Sequence, residues 1–321
     1  MTYPSADGAS TVRALLWEPE VPTDGARRVP RGLVQIVHGM SEHVERYAGF
    51  AAFLCSHGYT VCANDHVGHG RTAPNGEDLG HMPLEAGEEV LLADVHALRQ
   101  TAIERLAGVS GDVGRPWDIP YVIFGHSMGS FIARVYLTRY APGVRAAVIC
   151  GTGQQPRILM AAGKALTRLM AAAHGERFRS KLVHRMGAGG FAQAIEGART
   201  DVDWISTDPE VVAEYRRDPL CGQVFTVGAY HTLSRVTADA TSPKLAVRIP
   251  HGLPMLFIAG ADDPVGECGA GVHRAAEMYR RAGMESVREI IYPGARHEIL
   301  NEPCRDRVHA DVLAWLREVG I

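Results

Sequence analysis

The chain has 321 residues, with 33 Lys and Arg against 36 Asp and Glu, for a formal charge of −3. That balance gives no basic face of the kind nucleic-acid binding needs, and a hydrophobic content of 46% excludes disorder of the whole chain. Apolar runs such as residues 146–150 fall far short of the roughly 20 residues that carry a helix across a bilayer.

In chain order, residues 32–37 form a β-rich run ending in His38-Gly39. A helix-like stretch over 47–57 stops at Gly58, and 59–63 is a second strand that leads into Asn64-Asp65-His66. Over 88–106, Val90, Leu91, Val95, Leu98 and Ile103 recur at helical spacing and predict a long amphipathic helix. Residues 108–116 read as a flexible surface loop. The near-continuous apolar run 121–124 predicts a strand just before Gly125, and 131–140 a helix closed by Ala141-Pro142-Gly143. Further strands are expected at 144–150, 255–259 and 287–292, and a last helix over 308–319. Between residues 151 and 254 there is no strand pattern, and 158–173, 178–186 and 211–217 are helix-like.

Short apolar strands alternating with amphipathic helices predict an α/β protein with a mostly parallel central sheet flanked by helices. The strandless stretch is expected as a helical insertion between two late strands. The opening MTYPSADGAS has neither a basic leader nor an apolar run, so no secretory signal is expected. Six scattered cysteines without CxxC spacing read as reduced thiols of a cytoplasmic protein. No HExxH pattern occurs, and no metal site or cofactor is expected.

Gly125-His126-Ser127-Met128-Gly129 matches GxSxG between a predicted strand and a predicted helix, the context in which a tight turn lifts a serine out of the sheet. Serine is barely nucleophilic at neutral pH and needs a base, with a carboxylate behind it to orient the imidazole. The expected order after the serine is acid, then histidine. The strand at 287–292 runs into His297, the candidate base, and the strand at 255–259 runs into Asp262 and Asp263, which compete for the acid. Backbone N–H groups of Met128 and of Met40, in the His38-Gly39-Met40 loop, are the candidate oxyanion donors. Asp65, His66 and His69 raise a metal alternative that no second ligand cluster supports.

These segments resemble the monoacylglycerol lipase and lysophospholipase branch of the α/β-hydrolase superfamily. The likeness spans residues 30–320. It rests on His38-Gly39-Met40-Ser41-Glu42-His43 with Arg46-Tyr47, on Asp65-His66-Val67-Gly68-His69-Gly70, on Gly125–Gly129, and on the late Gly260–Asp263, His297-Glu298 and Asn301-Glu302. Asp218-Pro219-Leu220-Cys221-Gly222 is similar to a stretch of bacterial members.

The resemblance selects Asp263 over Asp262 and makes 65–70 a structural loop. It divides the chain into a hydrolase core, 1–153 with 251–321, and a helical cap, 154–250. It places Glu42 and Arg46 near the alcohol part of the substrate, with a salt bridge that holds the loop as the other reading. Some members carry a second histidine where this chain has Leu300, so glycerol specificity does not carry over. The implied activity is cleavage of single-acyl-chain esters through an acyl-enzyme on Ser127, with a small acyl ester as partner. Alternatives on the same fold are a short-chain carboxylesterase and a prolyl-iminopeptidase-like peptidase, whose amine-binding carboxylate would come from Glu196, Asp201, Asp203 or Asp208. The first cap helix has an apolar stripe, Ile158, Leu159, Met160, Leu166, Leu169 and Met170, interrupted by Lys164 and Arg168. It is expected to pack on the core and line an acyl pocket, or else to touch a lipid surface transiently. The oligomeric state has no signature in the sequence.

Overall fold

A computed structural model describes residues 1–20, 29–109 and 119–321, with no side-chain description at 108 and 109. Its strands are β1 (Thr2–Pro4), β2 (Thr11–Trp17), β3 (Leu33–Val37), β4 (Thr60–Asn64), β5 (Tyr121–His126), β6 (Val144–Cys150), β7 (Met255–Gly260) and β8 (Val287–Tyr292). They form one sheet in the order β1-β2-β4-β3-β5-β6-β7-β8. From β4 to β8 every pairing is parallel, whereas β2 runs antiparallel to β4 and β1 antiparallel to β2. Neither β1 nor β2 was expected. β2 alternates buried Val12 and Ala14 with exposed or half-buried neighbours, so it lacks the continuous apolar run of the parallel strands.

Alternate side chains of the central strands enter two separate cores. Leu33, Val37, Tyr121 and Ile123 face one layer, with Leu91 and Val95 of helix α2 (Gly87–Val109) and Ile132 and Tyr136 of α3 (Met128–Tyr140). Val34, Ile36, Val122 and Phe124 face the other, with Phe50 and Leu54 of α1 (Ala48–Ser56) and Val312 and Leu316 of the C-terminal helix, Arg305–Glu318. The loop expected over 108–116 lies outside the described residues from 110 onward; at its start α2 runs on to Val109.

Between β6 and β7 the chain forms only helices and loops. These are α4 (Arg157–His174), α5 (Lys181–Met186), a 3-10 stretch Ala188–Ala194, a short turn Asp203–Ile205, α6 (Pro209–Arg217), α7 (Val227–Ala240) and α8 (Pro243–Ala246). Helix α9 (Ala270–Arg281) and the closing helix, α10, follow. Sequence periodicity missed α7, whose Gly228, Thr232, Ser234 and Thr237 are weak helix formers. Thr226 caps it by accepting the Ala229 N–H, at 3.2 Å. Ala229, Tyr230, Val236 and Ala240 join the same core layer as α2 and α3, so the last long helix of the insertion is built into the main body.

Candidate active site

Ser127 follows β5 directly and has φ +54°, a conformation strained for any residue with a side chain. The flanking glycines are required by space. A Cβ on Gly125 would lie 2.3 Å from the Gly129 carbonyl oxygen, and one on Gly129 would lie 1.9 Å from that of Val37. The turn can therefore close only without these side chains, and it leaves Ser127 half-buried on a cavity wall with α3 starting beside it.

The loop after β3 packs against this turn. A Cβ on Gly39 would come within 2.9 Å of the Ser127 Cβ and 2.5 Å of Glu42 Oε1. Met40 and Met128 both line the cavity. Among the described residues neither backbone N–H has an acceptor, as a pair awaiting a developing oxyanion would require.

His297 and Asp263 lie on the loops after β8 and β7. Asp263 is fully buried, and its Oδ2 lies 2.9 Å from His297 Nδ1. Its Oδ1 accepts the Val265 N–H at 2.9 Å, which fixes the carboxylate. Asp262 is exposed. His297 Nε2 is buried without a protein partner and lines the same cavity as Ser127.

Glu42 and Arg46 stand differently. Glu42 lines the cavity, but its carboxylate is engaged: Oε1 accepts the Gly39 N–H at 2.5 Å and the Tyr47 hydroxyl at 2.8 Å. Arg46 lies behind it, with Nε 3.5 Å from Glu42 and Nη2 paired to Glu298, under the ring of Tyr215. It is absent from the cavity wall. The geometry thus matches the loop-holding salt bridge for Arg46. Burial pushes the Glu42 carboxyl up, but the hydrogen bond and charge of His126, with Arg46 and Tyr47, hold it well below the usual carboxylate range.

His126 completes this cluster. Its Nδ1 is 2.8 Å from the Tyr47 hydroxyl, and its Nε2 is 3.4 Å from the carbonyl of His297. With Tyr47 donating to Glu42, both ring nitrogens of His126 face acceptors, the pattern of an imidazolium. Desolvation opposes that charge, but Glu42 outweighs it and raises the pKa of His126. Leu300 is buried in the core layer of α1 and α10 and does not reach the cavity.

The 65–70 loop is knitted together by its own groups. Asp65 accepts the N–H groups of Val44 and Arg71, each at 2.9 Å. The His66 ring lies 4.1 Å from that of His38, whose Nε2 accepts the His66 N–H at 3.0 Å.

Sequence reading missed the residues that tie the cap to this site. The Trp204 ring lies 4.9 Å from the His297 ring, and Ile205 accepts the Glu298 N–H at 2.7 Å. Fully buried Glu302 accepts the N–H groups of Arg296 (2.7 Å) and Thr207 (2.9 Å) and the hydroxyls of Ser206 and Thr207. Arg296 in turn donates to the carbonyls of Asp203 and Ser206. Glu302, five residues after His297, figures in the resemblance but without this role. Nothing in the sequence points from Trp204 to His297.

The cavity holds about 520 Å³. Ser127, His297, His126 and Glu42 form its polar end, and Met160, Leu166, Val183, Phe191 and Leu233 much of its apolar wall.

Known proteins share the family and the fold. The family model described as serine aminopeptidase, S33 (Hydrolase_4) matches residues 28–304. A monoacylglycerol lipase of Mycolicibacterium smegmatis is 30% identical over 308 residues, covering 94% of this chain and 91% of that protein. A human monoglyceride lipase is 25% identical over 274 residues, 85% of this chain and 77% of that one. The crystal structure of a thermostable carboxyl esterase from Bacillus coagulans, in complex with glycerol, superposes with a TM-score of 0.88 at 30% identity, covering 100% of this chain and 98% of that one. The chain is an α/β-hydrolase of the S33 (Hydrolase_4) family, a serine hydrolase homologous to monoacylglycerol lipases and carboxylesterases.

Proposed function

We propose that the protein hydrolyses carboxylic esters of a single acyl chain, in the manner of monoacylglycerol lipases and lysophospholipases. The observation that carries this reading is the apolar cavity of about 520 Å³ leading from Ser127 and His297 into the cap. That volume is within the range of about 300–1,000 Å³ usual for small-molecule pockets. The acyl chain lies along the Met160, Leu166 and Val183 wall, and the ester carbonyl reaches Ser127.

His297 takes the Ser127 proton as the oxygen attacks, and Asp263 orients the imidazole and stabilises its cation. The amides of Met40 and Met128 hold the tetrahedral oxyanion. The alcohol leaves with the proton returned by His297, and water then cleaves the acyl-enzyme by the same route. This chemistry draws on no cofactor. Glu42 serves by holding the oxyanion loop through Gly39, and Arg46 by pinning Glu42 against Glu298. Residues 154–250 act as the cap that encloses the acyl chain.

The peptidase alternative needs a cap carboxylate beside the substrate amine. Of the four acids considered, only Asp201 lines the cavity, and Asp203 is occupied by the Arg199 N–H and the Thr200 hydroxyl. Asp201 alone remains for that role, and the mainly apolar wall of Met160, Leu166, Val183, Phe191 and Leu233 favours the ester reading.

The cap also suits brief contact with a lipid surface. No helix among the described residues is long and apolar enough to cross a membrane. Yet Ile158, Leu169 and Met186 are 82%, 69% and 63% exposed. Over residues 157–199 eight Lys or Arg accompany two Glu, whereas the remaining chain carries 25 Lys or Arg against 34 Asp or Glu. An apolar surface rimmed by cations fits an interface with anionic headgroups.

The deciding experiment is hydrolysis of p-nitrophenyl esters from short to long acyl chains, with Ser127→Ala as control, followed by monoacylglycerol against lysophospholipid. A long-chain optimum abolished in Ser127→Ala is expected. A short-chain optimum turns the reading to a small-ester carboxylesterase, and activity that survives in Ser127→Ala overturns the mechanism.

A further inference from the structure

We propose that His43, Asp218 and Cys221 form a binding site for a zinc-class divalent cation at the seam between the loop after β3 and the cap. The imidazole nitrogen, a carboxylate oxygen and the thiol sulfur lie within 4.8 Å of one another. His43 Nε2 is 2.8 Å from Asp218 Oδ2. This mixed nitrogen, oxygen and sulfur set is the donor chemistry of Zn²⁺ and its d-block neighbours, and it is unsuited to Mg²⁺ or Ca²⁺.

Each ligand is held in place by its surroundings. The other oxygen of Asp218 accepts the Leu220 N–H at 2.8 Å, and the Cys221 N–H returns to the Asp218 carbonyl at 3.1 Å, closing a turn that presents both side chains on one side. The facing loop is locked to this turn. The Gly222 N–H and the Tyr215 hydroxyl both donate to the Ser41 carbonyl at 2.9 Å, and Ser41 Oγ donates to the Gln223 carbonyl at 2.7 Å. His43 and Cys221 are buried and Asp218 is half-buried. An open crevice lined by His43, Asp218, Glu45 and Glu214 gives an approach route and room for a water as fourth ligand. Arg71 and Arg217 line it too, and they weaken the attraction for a dication.

An ion about 2.0–2.3 Å from each donor needs donor atoms about 3.3–3.8 Å apart. The His43–Asp218 pair therefore opens by about half an ångström, and the widest pair closes by about one. The thiol proton leaves to solvent, and the proton on His43 Nε2 moves to Nδ1, so one cation replaces one proton. The sequence held no sign of the site, because residue 43 meets residues 218 and 221 only through the docking of the cap. The bound ion would staple the seam whose other face, at Ser41, Glu42 and Gly222, walls the Ser127 cavity. It takes no part in ester cleavage, and its binding can be read without any activity.

The test is titration of the metal-free full chain with Co²⁺. One equivalent should develop a thiolate-to-cobalt charge-transfer band that Zn²⁺ displaces. Cys221→Ala should abolish the band, and His43→Gln and Asp218→Asn should each weaken binding at least about tenfold. Cys268→Ala, at an exposed thiol, should leave it unchanged. Absence of the band in the native chain, its survival in Cys221→Ala, or its loss in Cys268→Ala would overturn the site. Should Cys221→Ala fail to fold, Asp218→Asn decides, since unchanged affinity there also overturns it.

Discussion

Two stretches between β6 and β7 use helices in opposite ways. Helix α4 and the residues that follow, to about 198, expose Ile158, Leu169 and Met186, and the only residue of α4 that is fully buried is Thr167. The stretch from Asp203 to α7 is fastened down. Its short turn is bound through Glu302 and Arg296 to the loop that carries His297, Trp204 packs on the His297 ring, and α7 belongs to the main core. A single cap thus contains a largely water-facing wall, whose Leu166 and Met170 rest on the core and whose Thr167 bonds His231 of α7, and a wall continuous with the site. The first wall leaves Ile158, Leu169 and Met186 to solvent, while the second packs against His297 and its loop.

This contrast predicts a graded series of effects. Glu302→Ala should be the most damaging: four donors lose a buried acceptor, at a cost of about 3 kcal/mol in denaturant unfolding. Turnover should fall along with stability. If kcat and stability both stay near native, the fastened wall does not support His297. Trp204→Ala comes next, with about 2 kcal/mol lost from removing a partly buried aromatic. Ester hydrolysis should show a lower kcat rather than only a raised KM, because the His297 ring loses one of its two aromatic neighbours and keeps only His126.

His126→Gln probes the same loop from beneath. The pKa of His126 is raised above its ordinary 6.5, so its charged form adds stability that is complete below that pH and is lost as the pH rises through the raised value. The gap between native and variant in unfolding free energy should be about 2 kcal/mol near pH 6 and should narrow toward alkaline pH. A gap that widens instead would mean the ring is neutral in the folded protein. The smallest stability change belongs to the open wall: Ile158→Glu or Leu169→Glu should shift unfolding by no more than about 0.5 kcal/mol. Either should nevertheless reduce co-sedimentation with anionic vesicles. A large stability loss would erase the distinction between the two walls.

The parallel strands and the turns at their ends were legible because each carries a local signature. β5 and β7 read as near-continuous apolar runs, β3 and β6 as runs broken at Gln35 and Arg145, and the GxSxG spacing is imposed by the tight turn itself together with the close approach of the Val37 carbonyl. β2 was missed because only one of its faces is well buried, and α7 because tertiary packing rather than helix propensity specifies it. The polar cluster was half legible. Glu42, Arg46 and Tyr47 share one short motif, but their partners Glu298 and Tyr215 come from the other end of the chain and from the cap. Trp204 had no signature and Glu302 figured only in the resemblance, without a role, since the part each plays exists only where the cap meets the His297 loop.

The positive φ of Ser127 sets a trade between durability and activity at a single codon. A glycine would take up that backbone conformation without the cost of about 1–3 kcal/mol that a side chain incurs there. Replacing Ser127 is therefore among the easier ways to toughen this protein. Selection for thermal endurance alone would favour Ser127→Gly and leave a sturdier chain without the serine proposed as nucleophile, so any evolution of the enzyme toward heat tolerance has to screen for turnover at every round.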